Sequence, residues 1–149
     1  MPDFLPGARL EGGLTERLGI RIEEATAERV VAAMPVTPDH HQPFGYLHGG
    51  ASVVLAETAA SVGAHLRAPA GHTAFGMEIN ANHLRAVRAG TVRAVAVPLH
   101  TGRTSQVWSV EIRDDAGHLV CVSRCTLAVV PAREDDGASG AGAGAARIR

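Results

Sequence analysis

The chain has 149 residues, 46% of them hydrophobic, which is enough for one domain with a core of its own but leaves no room for a second. Its formal net charge is −1, from 14 Lys and Arg against 15 Asp and Glu, so no overall field favours nucleic acid or an anionic membrane. Residues 1–7 contain neither a basic leader nor an apolar stretch, and no segment approaches the roughly 20 apolar residues that span a bilayer. The sequence therefore predicts a cytoplasmic protein without nucleic-acid or membrane partners.

The first half of the chain predicts a short helix, two strands and one long helix. Residues 14–18 form the short helix, and residues 20–36 contain the two strands, the second with apolar residues alternating on one face. Pro35 and Pro38 are expected to end the pairing of that strand. Residues 51–66 are mostly Ala, Val, Leu and Gly and follow two glycines, so this segment predicts a buried helix.

The second half is rich in strand patterns. In residues 105–113, apolar Trp108, Val110 and Ile112 alternate with polar residues, which is typical of a half-buried antiparallel strand. The sequence Asp-Asp-Ala-Gly at 114–117 supplies turn residues, so a hairpin is expected there. The four predicted strands cover residues 73–84, 91–99, 105–113 and 118–130. The fold class that follows is α+β, with an antiparallel sheet wrapped around the long helix.

The cysteines, the histidines and the C-terminus set further limits. Cys121 and Cys125 lie four residues apart in a predicted strand, about 13 Å, which is too far for a disulfide, so both are interpreted as small core residues. None of the eight histidines has the spacing of a zinc site, and no metal is expected. From residue 132 the composition changes to Gly, Ala, Ser and charge. The predicted organisation is a domain at 1–131 and a disordered tail at 132–149.

One segment places a carboxylate near a glycine-rich helix start. Residues 48–50 read His-Gly-Gly, and Glu57 follows about two helical turns later, with Ser61 on the same side of the helix. Glycines at a helix N-terminus leave backbone N–H groups accessible to a developing negative charge, and a nearby carboxylate supplies a nucleophile or base. The alternative is a solvated polar stripe with His48 as a local cap, although Gln42 and Tyr46 make the preceding loop unusually polar and aromatic.

Two basic segments are candidates for phosphate binding. The first contributes His83, Arg85 and Arg88, and the second contributes Arg103, Thr104 and Ser105. Together they could hold phosphates through charge-assisted hydrogen bonds, but they are equally compatible with solvated strand ends. Neither a Walker motif nor a dinucleotide-binding fingerprint is present in the sequence.

Three stretches resemble the hotdog-fold acyl-CoA thioesterases, in the order that this family has them. They are QPFGYLHGGASVVLAETAAS at 42–61, GMEINANHLRAVRAG at 76–90 and PLHTGRTSQVWSVEI at 98–112. The similarity covers roughly residues 14 to 130 and is greatest to the PaaI-like branch that contains the 1,4-dihydroxy-2-naphthoyl-CoA and 4-hydroxybenzoyl-CoA thioesterases with a catalytic Glu. The first stretch is the specific one, and the other two support it.

The resemblance implies a fold, an assembly and a reaction. The fold is a single hotdog domain, in which an antiparallel sheet wraps one long central helix. The assembly is a homodimer, usually paired into a homotetramer, with active sites between subunits. The reaction is hydrolysis of an acyl-CoA thioester with an aromatic or bulky acyl group, without cofactor or metal. A monomer is expected to be inactive, because Gly49 of one subunit would face Glu57 of the other.

The family's site residues transfer to matching positions of this chain. By resemblance, Glu57 is the catalytic carboxylate and the Gly49 amide donates to the thioester oxygen. Gln42 and His48 flank the reacting carbonyl, and Ser61 helps to place water. The residues expected to hold CoA are His83, Arg85, Arg88, Arg103, Thr104 and Ser105. The sequence does not decide whether Glu57 attacks the thioester, forming a mixed anhydride, or deprotonates water.

Two other functions stay open at this point. A non-catalytic acyl-CoA-binding module would use the same fold without cleaving its ligand, although such a module has no need of Glu57. An enoyl-CoA hydratase or dehydratase would move protons across a C=C bond with a histidine and an acid, a role that His48 and Glu57 are able to fill.

Overall fold

The computed structural model describes residues 12–132. The predicted tail from residue 133 onward lies outside the described residues, as do residues 1–11. Within residues 12–132 no helix has the length and apolar character needed to cross a membrane.

The described residues form two α-helices, one short 3-10 helix and six strands, in an α+β arrangement that confirms the predicted fold class. The long helix begins at Gly49, two residues before the predicted start, because the glycines themselves form its first turn. The elements in chain order are α1 (Gly13–Arg17), β1 (Arg21–Ala25), β2 (Val30–Val36), the 3-10 helix (Pro38–His40), α2 (Gly49–Arg67), β3 (His72–His83), β4 (Gly90–Thr101), β5 (Ser105–Arg113) and β6 (Leu119–Pro131).

All six strands belong to one antiparallel sheet in the order β1-β2-β4-β5-β6-β3. The predicted hairpin is confirmed, since β5 and β6 pair from Ser105 opposite Ala128 onward. The strand that directly follows α2, β3, pairs with the last strand and lies at an edge of the sheet. That placement leaves one side of a twelve-residue strand without a strand neighbour among residues 12–132.

Pro35 does not end β2, contrary to the prediction. The strand continues to Val36, with Pro35 opposite Thr91 of β4. Pairing with β1 stops at Arg21 opposite Ala33, so Pro35 has a strand neighbour on one side only. A proline is tolerated at such an edge position because its missing N–H removes no ladder hydrogen bond there.

Helix α2 packs on the concave face of the sheet through small residues. Ala56, Ala59 and Ala60 are fully buried, and Gly63 lies against the indole of Trp108, three of whose ring carbons approach the position that a Cβ would occupy. Trp108 donates its Nε1–H to Gln106 Oε1 at 2.9 Å, and Gln106 Nε2 donates to the Ala64 carbonyl of α2 at 3.2 Å. The small side chains let helix and sheet approach closely, and the Gln–Trp pair fixes their relative position.

Both cysteines are buried in β6 with free thiols, so their interpretation as core residues is confirmed. Burial raises the pKa of Cys121. It also raises the pKa of Cys125 to about 12, with smaller contributions from the negative charges of Glu57 and Glu78. A thiol with that pKa stays protonated at neutral pH, so Cys125 is no candidate for a nucleophile.

Candidate active site

The start of α2 presents a free backbone donor. His48 is the N-cap, and its Nδ1 accepts the Gly50 N–H at 2.8 Å, while its carbonyl accepts the Ala51 N–H at 3.0 Å. Among the described residues no group accepts the Gly49 N–H, and this amide lies at the positive end of a nineteen-residue helix. An unpaired N–H at that end favours a developing oxyanion. His48 thus caps the helix locally, as the alternative interpretation of this residue proposed. Because its Nδ1 is an acceptor, the ring proton is on Nε2.

The loop before Gly49 is held in place by Tyr46 and Arg88. The Arg88 guanidinium lies 4.1 Å from the centroid of the Tyr46 ring, and its Nη2 donates to the Tyr46 hydroxyl at 2.8 Å. Gln42 closes the turn, since its N–H donates to the Tyr46 carbonyl at 2.8 Å and its Oε1 accepts the Phe44 N–H. Arg88 thus stabilises the loop, and this contact competes with its predicted use as a CoA contact.

A cavity of about 370 Å³ opens beside the Gly49 amide. Its lining includes Gln42, Gly49, Ser52, His83 and Arg85. The His83 imidazole lies against Gly49, with Nε2 only 2.6 Å from the position of a Cβ there. Any side chain at position 49 would therefore displace His83. The structure brings four of the predicted site residues together here, namely Gln42, Gly49, His83 and Arg85.

Glu57 lies elsewhere in the chain, in the middle of α2. Its half-buried carboxylate packs over Gly76 of β3, and no hydrogen bond or ion pair to it occurs within residues 12–132. Eight residues of helix separate Glu57 from Gly49, which corresponds to about 12 Å along the helix axis. A nucleophile has to approach to about 3–3.5 Å of the reacting carbon. Glu57 therefore cannot reach a carbonyl bound at Gly49 of its own chain.

The two basic segments also lie apart. Ser105 is opposite Ala128 of β6, and the Gly102 N–H donates to the Ser105 carbonyl at 2.8 Å in the turn that carries Arg103 and Thr104. His83 of β3 is opposite Cys121, which also belongs to β6. Cys121 and Ala128 are seven residues apart, which is about 23 Å along a strand. One chain does not bring the two segments together. The reason is that the last residue of β3, His83, and the β4–β5 turn lie at opposite ends of β6.

The structure adds one residue, Gly76, that the sequence interpretation of the site missed. Gly76 lies directly under the Glu57 carboxylate, beside a bulge at Met77 where the pairing of β3 with β6 shifts by one residue. The signal for it was a single glycine inside a strand pattern, which often marks a bulge or a close approach. Ser61 follows Glu57 by about one helical turn and is half-buried.

Comparison with known proteins decides the family. A family model described as "Thioesterase superfamily" matches residues 44–121, more than half of the chain, from the loop before α2 to the beginning of β6. The chain belongs to the thioesterase superfamily.

Several named relatives match most of this thioesterase. It is 49% identical to a 1,4-dihydroxy-2-naphthoyl-CoA hydrolase of Listeria monocytogenes over 82% of this chain and 99% of that protein. It is 47% identical to the proofreading thioesterase EntH of Cronobacter turicensis over 80% of this chain and 87% of that one. The crystal structure of a Haemophilus influenzae thioesterase superposes with a TM-score of 0.75 at 48% identity, covering 78% of this chain and 81% of the other. The predictions of a hotdog thioesterase fold and of a thioester hydrolase are confirmed.

Proposed function

We propose that this thioesterase hydrolyses acyl-CoA thioesters at a site formed by two copies of the chain, with Glu57 of one copy facing the Gly49 amide of the other. The observation that carries the proposal is the separation of about 12 Å between these groups along α2. Each group nevertheless lies against the same edge strand, Glu57 over Gly76 and Gly49 against His83. A second copy of the chain that pairs with β3 would therefore come close to both Glu57 and Gly49.

The exposed edge of β3 supports this assembly. A long unpaired edge strand is a template for pairing with another chain, and Phe75 and Met77 leave it with exposed apolar side chains. An antiparallel pair of β3 strands centred between Ile79 and Asn80 sets Gly76 opposite His83 of the partner subunit. The same register brings Glu57 towards Gly49 of the partner subunit, so one two-fold axis completes both sites.

This register also accounts for the two basic segments. The Arg103–Ser105 turn lies at the same end of the sheet as the beginning of β3, with β6 between them. Ser105 is opposite Ala128 of β6, and Ala128 is opposite Phe75 of β3. In the proposed pair, Phe75 is opposite Leu84 of the partner subunit. Arg103, Thr104 and Ser105 then approach His83 and Arg85 of the other chain, and the two groups together hold the CoA phosphates.

The chemistry follows from these positions. The Gly49 N–H stabilises the oxyanion that forms when the thioester carbonyl is attacked, an effect that is typically about 2.7–4 kcal/mol for one donor. Glu57 either attacks the carbonyl carbon, releasing the CoA thiolate and leaving a mixed anhydride for water to cleave, or deprotonates the attacking water. Gln42, which lines the cavity at Gly49, offers Nε2 as a second donor for the carbonyl region, and Ser61 helps to place the water. His48 caps the helix and lines a separate cavity, so its role is to hold the helix start in place.

For the substrate, we propose an aromatic or similarly bulky acyl group. The support is the name of the Listeria relative, a 1,4-dihydroxy-2-naphthoyl-CoA hydrolase, at 49% identity. The relatives' names also favour hydrolysis over the hydratase and the non-catalytic binding module that the sequence left open. A cytoplasmic location and a tetramer built from two dimers remain predictions.

A thiol-release screen tests the proposed function. The panel contains aryl-CoA, phenylacetyl-CoA, straight-chain acyl-CoA and an enoyl-CoA, and the free thiol is measured together with loss of the C=C absorbance. We expect the fastest thiol release from an aryl-CoA. Consumption of the enoyl-CoA without free thiol would instead identify a hydratase, and an absence of turnover across the panel would contradict the proposed function.

Substitution of Arg103 tests the CoA contact. Arg103→Ala is expected to raise KM about twofold to fivefold and to leave kcat nearly unchanged, because an exposed ionic contact of about 0.2–1 kcal/mol acts equally on ground and transition states. Arg29→Ala, which removes an exposed arginine from the β1–β2 turn, is the control and should leave KM unchanged. An unchanged KM in Arg103→Ala would remove this residue from the site.

A further inference from the structure

Gly76 of β3 lies directly against the Glu57 carboxylate. A Cβ built at position 76 would overlap Glu57 Oε1 and lie 3.2 Å from Cδ. The carboxylate therefore occupies the space that any other residue would fill with its side chain. No hydrogen bond or ion pair within residues 12–132 fixes the Glu57 carboxylate by other means. Its position in the chain is set by packing against the strand.

The backbone of β3 does not itself require glycine at this position. The φ angle of Gly76 is not positive, so an alanine at this position would adopt the same backbone conformation without strain. The strand bulges immediately afterwards at Met77, since Gly76 is opposite Leu127 and Glu78 is opposite the adjacent Thr126. Bulges frequently redirect a strand next to an active site. The requirement for glycine thus comes from the carboxylate.

We propose that Gly76 is a positioning residue: because it has no side chain, the Glu57 carboxylate can pack against the edge of β3, where it faces the acyl carbonyl. This inference rests on the proposed function of Glu57. A methyl group at position 76 forces the flexible end of Glu57 to a new position while leaving the helix and the strand in place. The effect falls on the attacking or proton-accepting oxygen, because displacement by about 1 Å is enough to cost roughly a hundredfold in rate.

The expected result for Gly76→Ala is a fall in kcat of at least about tenfold with KM within about twofold of the wild type. Its unfolding midpoint and its elution volume on size exclusion should match those of the wild type. Asn82→Gln, which adds one methylene to the same edge strand away from Glu57, should leave kcat unchanged. A comparable loss in Asn82→Gln would attribute the effect to the strand edge and overturn the inference.

A double-mutant cycle separates positioning from a structural effect. In a Glu57→Asp background the carboxylate is drawn back by one methylene, about 1.5 Å, and no longer lies over Gly76. There, Gly76→Ala should change kcat by less than about twofold, so the two substitutions are strongly non-additive. Equal losses in both backgrounds, or an unchanged kcat in Gly76→Ala alone, would overturn the inference. Full activity of Glu57→Ala would instead refute the proposed function, so the two failures are distinguishable.

Discussion

Glu57→Ala is expected to lower kcat for thioester hydrolysis by about 10²- to 10⁴-fold, the usual contribution of a positioned general base, and by more if Glu57 is the nucleophile. The physical reason is that no carboxylate among the described residues lines the cavity at Gly49, so in the proposed dimer the carboxylate comes from the partner's Glu57. The buried Cys125 thiol, with its pKa of about 12, offers no substitute. The measurement is the initial rate of thiol release on the best acyl-CoA of the panel. Wild-type rates in this variant would contradict the assignment.

Glu57→Gln is the matched control for packing. The amide keeps the volume of the side chain over Gly76 and removes only the charge and the basicity, so the free energy of unfolding should stay within about 0.5 kcal/mol of the wild type. Its kcat should nevertheless fall nearly as far as in Glu57→Ala. If Glu57→Gln retained activity, the carboxylate would be a packing element.

Trp108→Ala should produce the largest loss of stability among single substitutions. The side chain is fully buried between α2 and the sheet, and removal of such a residue costs about 3–5 kcal/mol. Gln106 Oε1 would also lose the donor that satisfies it in the core. Because small domains are stable by only about 5–15 kcal/mol, a large fall in the urea midpoint is expected.

Trp108→Phe distinguishes packing from the hydrogen bond. It keeps an aromatic ring at position 108 and removes the indole N–H together with the outer ring carbons, so its loss of stability should be clearly smaller than that of Trp108→Ala. Gly63→Ala should be destabilising in the wild type and less so in Trp108→Phe, because the outer ring carbons that crowd position 63 are then absent. Additive effects of these two substitutions would contradict the packing described for this contact.

Local patterns in the sequence were sufficient to predict most elements but not their neighbours in the sheet. The alternation in residues 105–113 and the turn residues 114–117 predicted the β5–β6 hairpin because both are short-range signals. The pairing of β3 with β6 joins strands far apart in sequence, and periodicity carries no information on such partners. Pro35 was misjudged for the same reason, since only the sheet shows that one of its sides is unpaired.

The candidate site was predictable as a set of residue types and not as an arrangement. The motif at 48–57 identified a helix start, a glycine amide and a carboxylate, and the structure has all three on α2. The motif does not reveal that Gly49 and Glu57 both lie against one edge strand, β3. His83 was grouped with the arginines by sequence proximity, whereas its imidazole lies against Gly49.

The most direct test of the central claim is complementation between two inactive variants. Glu57→Ala lacks the carboxylate, and Gly49→Val fills the space beside the amide. If each site uses Glu57 of one subunit and Gly49 of the other, a mixed dimer has one intact site and one doubly altered site. Random reassembly of equal amounts gives about half mixed dimers, and each of these has one of its two sites intact. The mixture should therefore have about a quarter of the wild-type kcat per chain. A mixture no more active than the mean of its two parents would contradict a site shared between subunits.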